Sequence, residues 1–234
     1  QVSKAIADAE ALLTQSIPEL TDELFLDYSR TGNRTRCQRV LSRRHGRVSH
    51  LALAECIDNR GRFLPALEEA IRAVCSEKTW VLPAHDGGLR NFRGTVNEID
   101  LAVAGFSWNL ATVDYWVGDK LRAEIRKLIR DELERRTFTP FEDMVTKGTR
   151  RSWWLTGTNN WNAVCLANVT GTALALLDQP EEQAFFVASA EKAIHAFLQG
   201  FTDDGYCSEG IGYWNYGFGC FVRLGHMLDE VTEG

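Results

Sequence analysis

Three segments of the chain concentrate side chains that could do chemistry. The first holds Trp153, Trp154, Asn159, Asn160, Trp161 and Asn162 within ten residues. Sugar rings offer flat C–H faces that stack on indole, while the indole N–H bonds to hydroxyls. Each asparagine can both donate and accept. They precede an apolar segment with helical character. The unpaired N–H groups and dipole of a helix start favour an anion. An asparagine there could grip a carboxylate. The alternative is a helix-capping asparagine beside core tryptophans.

The second segment, residues 203–219, contains Asp204, Glu209, Tyr213, Trp214, Asn215 and Tyr216 among several glycines. Tyr213 and Tyr216 are three apart and share a face if a helix has begun there. A tyrosine hydroxyl serves as general acid or base when a nearby cation or donor lowers its pKa. The same spacing also describes two core tyrosines. The third segment runs Trp80, Pro83, His85, Asp86. A loop histidine beside an aspartate is an acid/base group, a substrate contact or a structural residue. His45, His50, His195 and His226 have no such context. GxSxG, phosphate-loop and dinucleotide signatures are missing.

The elements that must position these residues read as helices. Residues 101–117 and 163–177 are apolar on nearly every side. Each is followed by an amphipathic segment, 119–136 and 181–198. A helix that is apolar all round must be buried, and an amphipathic neighbour shields it. Strand-like alternation is nearly absent. The expectation is an all-α chain, a single domain over residues 1–234, with inner and outer helix layers forming an α/α toroid. An irregular bundle or solenoid is the alternative. Loops 80–94, 146–160 and 202–212 precede inner helices and would gather at one end as a cleft.

Composition bounds the partners. The 234 residues are 44% hydrophobic and 25% charged, with a net charge of −6, which argues against general nucleic-acid binding. No apolar run is long enough to span a bilayer. No secretory leader pattern is present, so a leader is absent or already removed. Seven of the twelve tryptophans and tyrosines fall in residues 153–216, in loops where they suggest binding. Arg34, Arg36, Arg39, Arg43, Arg44 and Arg47 form a run without an acid between Tyr28 and Ala54. It is either a solvated helix face or a surface for a polyanion. The six cysteines lack zinc spacing and read as free thiols, which leans towards a reducing compartment.

Taken together, Thr79–Asp86, Glu98–Ala102, Trp153–Cys165 and Asp203–Gly219 resemble the heparinase II/III-like polysaccharide lyases. The most specific pieces are Asn160-Trp161-Asn162 and Gly212-Tyr213-Trp214-Asn215-Tyr216-Gly217. The resemblance implies an incomplete α/α toroid followed by a C-terminal β-sandwich, which this chain lacks. It implies β-elimination on a uronic-acid polysaccharide, heparan-sulfate-like or alginate-like. Asn160 would neutralise the uronate carboxylate. Tyr216, or else Tyr213, would act as acid and base. His85, Arg151, Trp153, Trp154, Trp161, Asn162, Glu209, Trp214 and Asn215 would line the cleft. No metal or cofactor is required for this step, and a secreted or periplasmic setting is implied. No histidine stands beside Asn160, so the base is a tyrosine, His85 or a histidine from the further domain. An α/α-toroid glycoside hydrolase using Asp86, Asp204 or Glu209 is the competing reading, and a non-catalytic carbohydrate-binding toroid is a third.

Overall fold

The computed structural model describes residues 2–148 and 150–232, the side chains of 150–152 excepted. The described residues are helical, and no strand forms among them; the only β feature is an isolated bridge between Phe201 and Cys207. The elements fall into two compact units, residues 1–97 with 109–133, and residues 98–108 with 134–234.

The first unit begins with α1 (Val2–Leu13), α2 (Asp22–Thr31), α3 (Thr35–Asp58) and α4 (Leu64–Cys75). Local chemistry sets their ends. Thr21 caps α2 by accepting the Leu24 N–H at 3.2 Å, and Gly32 ends it in the left-handed region at φ 72°. Asn59 ends α3 at φ 58°, a conformation asparagine tolerates better than most residues. The buried Glu55 carboxylate then accepts the Gly61 N–H at 2.8 Å and the Phe63 N–H at 3.3 Å. That fixes the turn into α4, which opens with Pro65 in its first turn. Leu41, Val48, Leu51, Leu67, Ile71 and Val74 are buried between α3 and α4 or around them. Helix α6 (Ala123–Leu133) adds Ile125, Ile129 and Leu133, spaced to face one side.

Helix α5 (Leu101–Val117) spans the residues expected of an all-round apolar helix. Its N-terminus is capped by buried Asp100, which accepts the Val103 N–H at 2.8 Å.

The second unit contains a π-helical stretch, Glu134–Phe138, then α7 (Thr139–Lys147), a 3-10 turn (Arg150–Leu155), α8 (Asn160–Leu176), α9 (Pro180–Leu198) and α10 (Ile211–Thr232). Nearly every residue of α8 is buried, whereas α9 buries Phe186, Ala190, Ile194 and Phe197 along one stripe. Buried and shielding helices thus pair here as the patterning predicts. Phe141 stacks on Phe186 at 5.3 Å between ring centres, with Phe138 edge-on to Phe186 at 5.4 Å. All six cysteines are free thiols, five of them buried. Among the described residues no helix is long and apolar enough to cross a membrane.

Candidate functional site

The start of α8 is the best-defined polar feature of the second unit. Asn159 is its cap: extended at φ −107° and ψ 178°, it accepts the Trp161 N–H at 3.1 Å. Asn160 is the first helical residue and is buried. Glu209 reaches this end from the segment before α10. Its Oε2 accepts the Asn160 backbone N–H at 2.6 Å, and its Oε1 accepts Asn160 Nδ2 at 2.6 Å. Two charge-assisted bonds at a helix N-terminus are a strong arrangement for a carboxylate. The carboxylate held by Asn160 is one supplied by its own chain. Asn160 Oδ1 is buried without a hydrogen-bond partner among the described residues, a condition that ordinarily costs about 1–3 kcal/mol.

Helix α10 approaches this point through a glycine. A Cβ on Gly217 would stand 3.0 Å from the Phe197 ring and 3.2 Å from Asn160 Cβ. Only glycine lets the two helices come so close, and Tyr216 is the preceding residue. Tyr213 and Tyr216 are exposed, Tyr216 to 44%. Partial burial, with a smaller contribution from the thiols of Cys220 and Cys165, pushes the Tyr216 phenol up to about 12; Arg223 opposes this without overcoming it. The cation-lowered phenol envisaged from the sequence is not what the structure contains. Tyr216 keeps its proton at neutral pH.

The tryptophans divide by role. Trp153 is 48% exposed and its ring centre lies 5.0 Å from that of Trp161, forming an open aromatic surface. Trp154 is 1% exposed, donates Nε1–H to the Ile99 carbonyl at 3.1 Å and stacks on Phe141. It belongs to the core and offers no face to a sugar. Trp214 donates Nε1–H to the Gly205 carbonyl at 3.2 Å and stacks on Phe218 at 4.9 Å. It fastens the turn at residues 202–206 onto α10. Asn162 is fully buried, and its Nδ2 donates towards the carbonyls of Trp154, Leu155 and Ala193. It is a scaffold residue tying the 3-10 turn and α9 to α8, and is not open to a ligand. Asn215 is exposed. The Arg151 side chain lies outside the described residues.

His85 belongs to the first unit, in a 3-10 turn (Pro83–His85). Its Nε2 lies 3.2 Å from Arg34 Nη2. A guanidinium only donates, so Nε2 is the acceptor in this contact. Asp86 is buried and accepts the Asn91 N–H, Asn91 Nδ2 and the Phe92 N–H. It folds its own loop. Asp204, the other carboxylate outside the α8 start, is exposed and held below its ordinary pKa by the Thr202 hydroxyl and the Tyr206 N–H. A glycosidase acid needs the opposite, a raised pKa.

Tyr206 was not singled out from the sequence, yet it is strongly exposed, and so are Tyr115 and Trp116 near the end of α5. Their exposure has no signature in spacing. Among the described residues no group of three His, Cys, Asp or Glu side chains could hold a metal ion. No family model matches the chain, and no curated protein matches it.

Proposed function

We propose that this chain carries the carboxylate-binding and proton-donating groups of a polysaccharide lyase that cleaves a uronic-acid polymer by β-elimination. The observation that carries the reading is the paired grip of Asn160 N–H and Nδ2–H on a carboxylate at the start of α8. A uronate has the same functional group as Glu209 and would exchange with it. Neutralising that carboxylate acidifies the adjacent C5–H, and the N–H donors stabilise the enolate-like intermediate. A base takes the C5 proton, the electron pair forms the C4=C5 double bond, and the C4–O bond breaks. Tyr216, protonated across the neutral range, supplies the proton to the departing glycosidic oxygen. The high phenol pKa argues against Tyr216 as the base, which leaves that part to Tyr213 or a histidine outside this chain. The exposed Trp153 and its neighbour Trp161 suit stacking against sugar rings. The pairing of buried α8 with amphipathic α9 supports an α/α-toroid architecture.

The test is incubation of the full chain with heparan sulfate, alginate and related polymers, following the ultraviolet absorbance of a 4,5-unsaturated uronate. The expected result is product from at least one polymer, and loss of turnover in Tyr216→Phe and Asn160→Ala with the fold retained. Absence of the chromophore with every polymer overturns the proposal. Glycan binding without any product would instead favour a carbohydrate-binding role built on the same tryptophans.

A further inference from the structure

The arginines of residues 34–47 sort into two groups. Arg34 contacts His85, and Arg36 Nε pairs with Asp27 at 2.9 Å. Arg44 is buried against Glu77 at 2.6 Å and also donates to the carbonyls of Pro18 and Ala73. These three are used by the fold. Arg39 and Arg43 are exposed and make no ion pair with any described residue. They stand one helical turn apart on α3, so both guanidinium groups project from the same face.

That face borders an open cleft of about 1050 Å³, lined by Arg39, Ser42, Arg43, Arg47 and His50 of α3 and by the chain following α1. No acidic side chain is among the residues lining it. Arg47, one further turn along, is 5% exposed, and Nη2 donates to the carbonyls of Leu12 and Gln15 at 2.6 and 2.9 Å. Its Nε is buried and has no hydrogen-bond partner among the described residues. Burial pulls this guanidinium below its ordinary pKa, with Glu69 offsetting part of the effect. The cleft thus presents two cations without an ion pair among the described residues, a third whose Nε lacks a hydrogen-bond partner there, and an exposed serine hydroxyl.

We propose that this cleft binds a sugar bearing sulfate or phosphate esters, its oxyanions held by Arg39 and Arg43. A guanidinium fork matches the oxygens of such groups bidentately. Two or three cations in one cleft call for a ligand with more than one negative charge, which a lone carboxylate lacks. The volume of about 1050 Å³ exceeds the need of a free ion and lies just above the range for small-ligand sites, roughly 300–1,000 Å³. The net charge of −6 supplies no general attraction for such a ligand, so the attraction is local.

The site involves only the first unit, and binding is measured without turnover. The proposal therefore stands or falls separately from the lyase reading. The experiment is calorimetry of the full chain at low ionic strength with four probes. They are a heparin-derived sulfated disaccharide, its unsulfated counterpart, glucose 6-phosphate and inorganic sulfate. The esterified sugars are expected to bind at least roughly tenfold more tightly than the unsulfated disaccharide and inorganic sulfate. The Arg39→Gln, Arg43→Gln double variant should lose that preference while melting as the parent does, since neither side chain has an ion-pair partner among the described residues. Equal binding of all four probes overturns the proposal, as does undiminished ester binding by the double variant. Arg36→Gln, outside the cleft lining, is the charge control and should keep the preference.

Discussion

Replacing Glu209 by glutamine removes one oxygen and one charge from the start of α8 and changes little else in shape. Glu209 offers two acceptors to two donors, each at 2.6 Å: the backbone N–H and the Nδ2–H of Asn160. A glutamine can satisfy one of them; its own NH2 then faces the other. The lost charge-assisted bond contributes about 1.5–3 kcal/mol, and the lost anion at the helix start about 0.3–1 kcal/mol. The expected destabilisation is therefore about 2–4 kcal/mol. At the ~2–4 °C per kcal/mol typical of chains this long, the melting temperature should fall by roughly 4–16 °C. Urea denaturation followed by tryptophan fluorescence, alongside thermal melts, reads the effect. If the two units unfold in separate transitions, the shift should fall on that of the second unit alone. A cycle with Asn160→Ala isolates the side-chain half of the grip, with an expected coupling of about 1 kcal/mol or more. A Glu209→Gln variant melting within about 1 °C of the parent, or a cycle with no coupling, would refute the claim that this end of α8 depends on a bound carboxylate.

Three further outcomes are expected. A Cβ at Gly200 would lie 1.9 Å from the Thr158 carbonyl oxygen, well inside the 3.4 Å of ordinary contact, so Gly200→Ala must shift the backbone that leads into the Asn159 cap. It should cost about 1–3 kcal/mol or more in denaturation, while Gly225→Ala in α10, with open space around it, should be neutral or gain up to ~1 kcal/mol; equal stabilities would sink the packing argument. Arg44→Met removes the guanidinium from the buried Glu77 carboxylate, which keeps His45 Nε2 at 2.9 Å, and should cost about 1.5–3 kcal/mol, measured by the same method. The folded chain keeps the Tyr216 proton to about pH 12, against 10.0 for a free phenol. Stability should thus be level below pH 10 for this group and decline as pH rises from 10 to 12. Tyr216→Phe should flatten that decline, and a variant curve as steep as the parent's would remove Tyr216 as its source.

Helix placement was legible because burial imposes it on sequence. The apolar run at residues 101–117 became α5 with the same bounds, and α8 and α9 matched the buried and amphipathic segments to within a few residues. The segment at 119–136 was less legible. It contains a 3-10 turn, then α6, and runs into the π-helical stretch, because side-chain periodicity cannot register a changed hydrogen-bond pattern. In the site, residue type was informative and orientation was not. Trp153 and Trp154 are adjacent and chemically identical, yet the 3-10 turn sends one outward and one into the core. Asn159, Asn160 and Asn162 likewise divide into a cap, a carboxylate holder and a scaffold. What separates them is which carbonyls and carboxylates arrive from residues 154, 193 and 209, partners remote in the chain.

The Arg47 guanidinium closes α1 at a distance. The Leu12 carbonyl, which also accepts the Gln15 N–H at 3.3 Å, and the Gln15 carbonyl accept from a side chain 35 and 32 residues further on. A helix of 12 residues is marginal in isolation, since nucleation outweighs so few turns. The stop signal of α1 is thus written in α3. During folding α1 can only flicker until α3 has formed against it. In the native protein its amide hydrogens should exchange in step with those of α3, as one cooperative block.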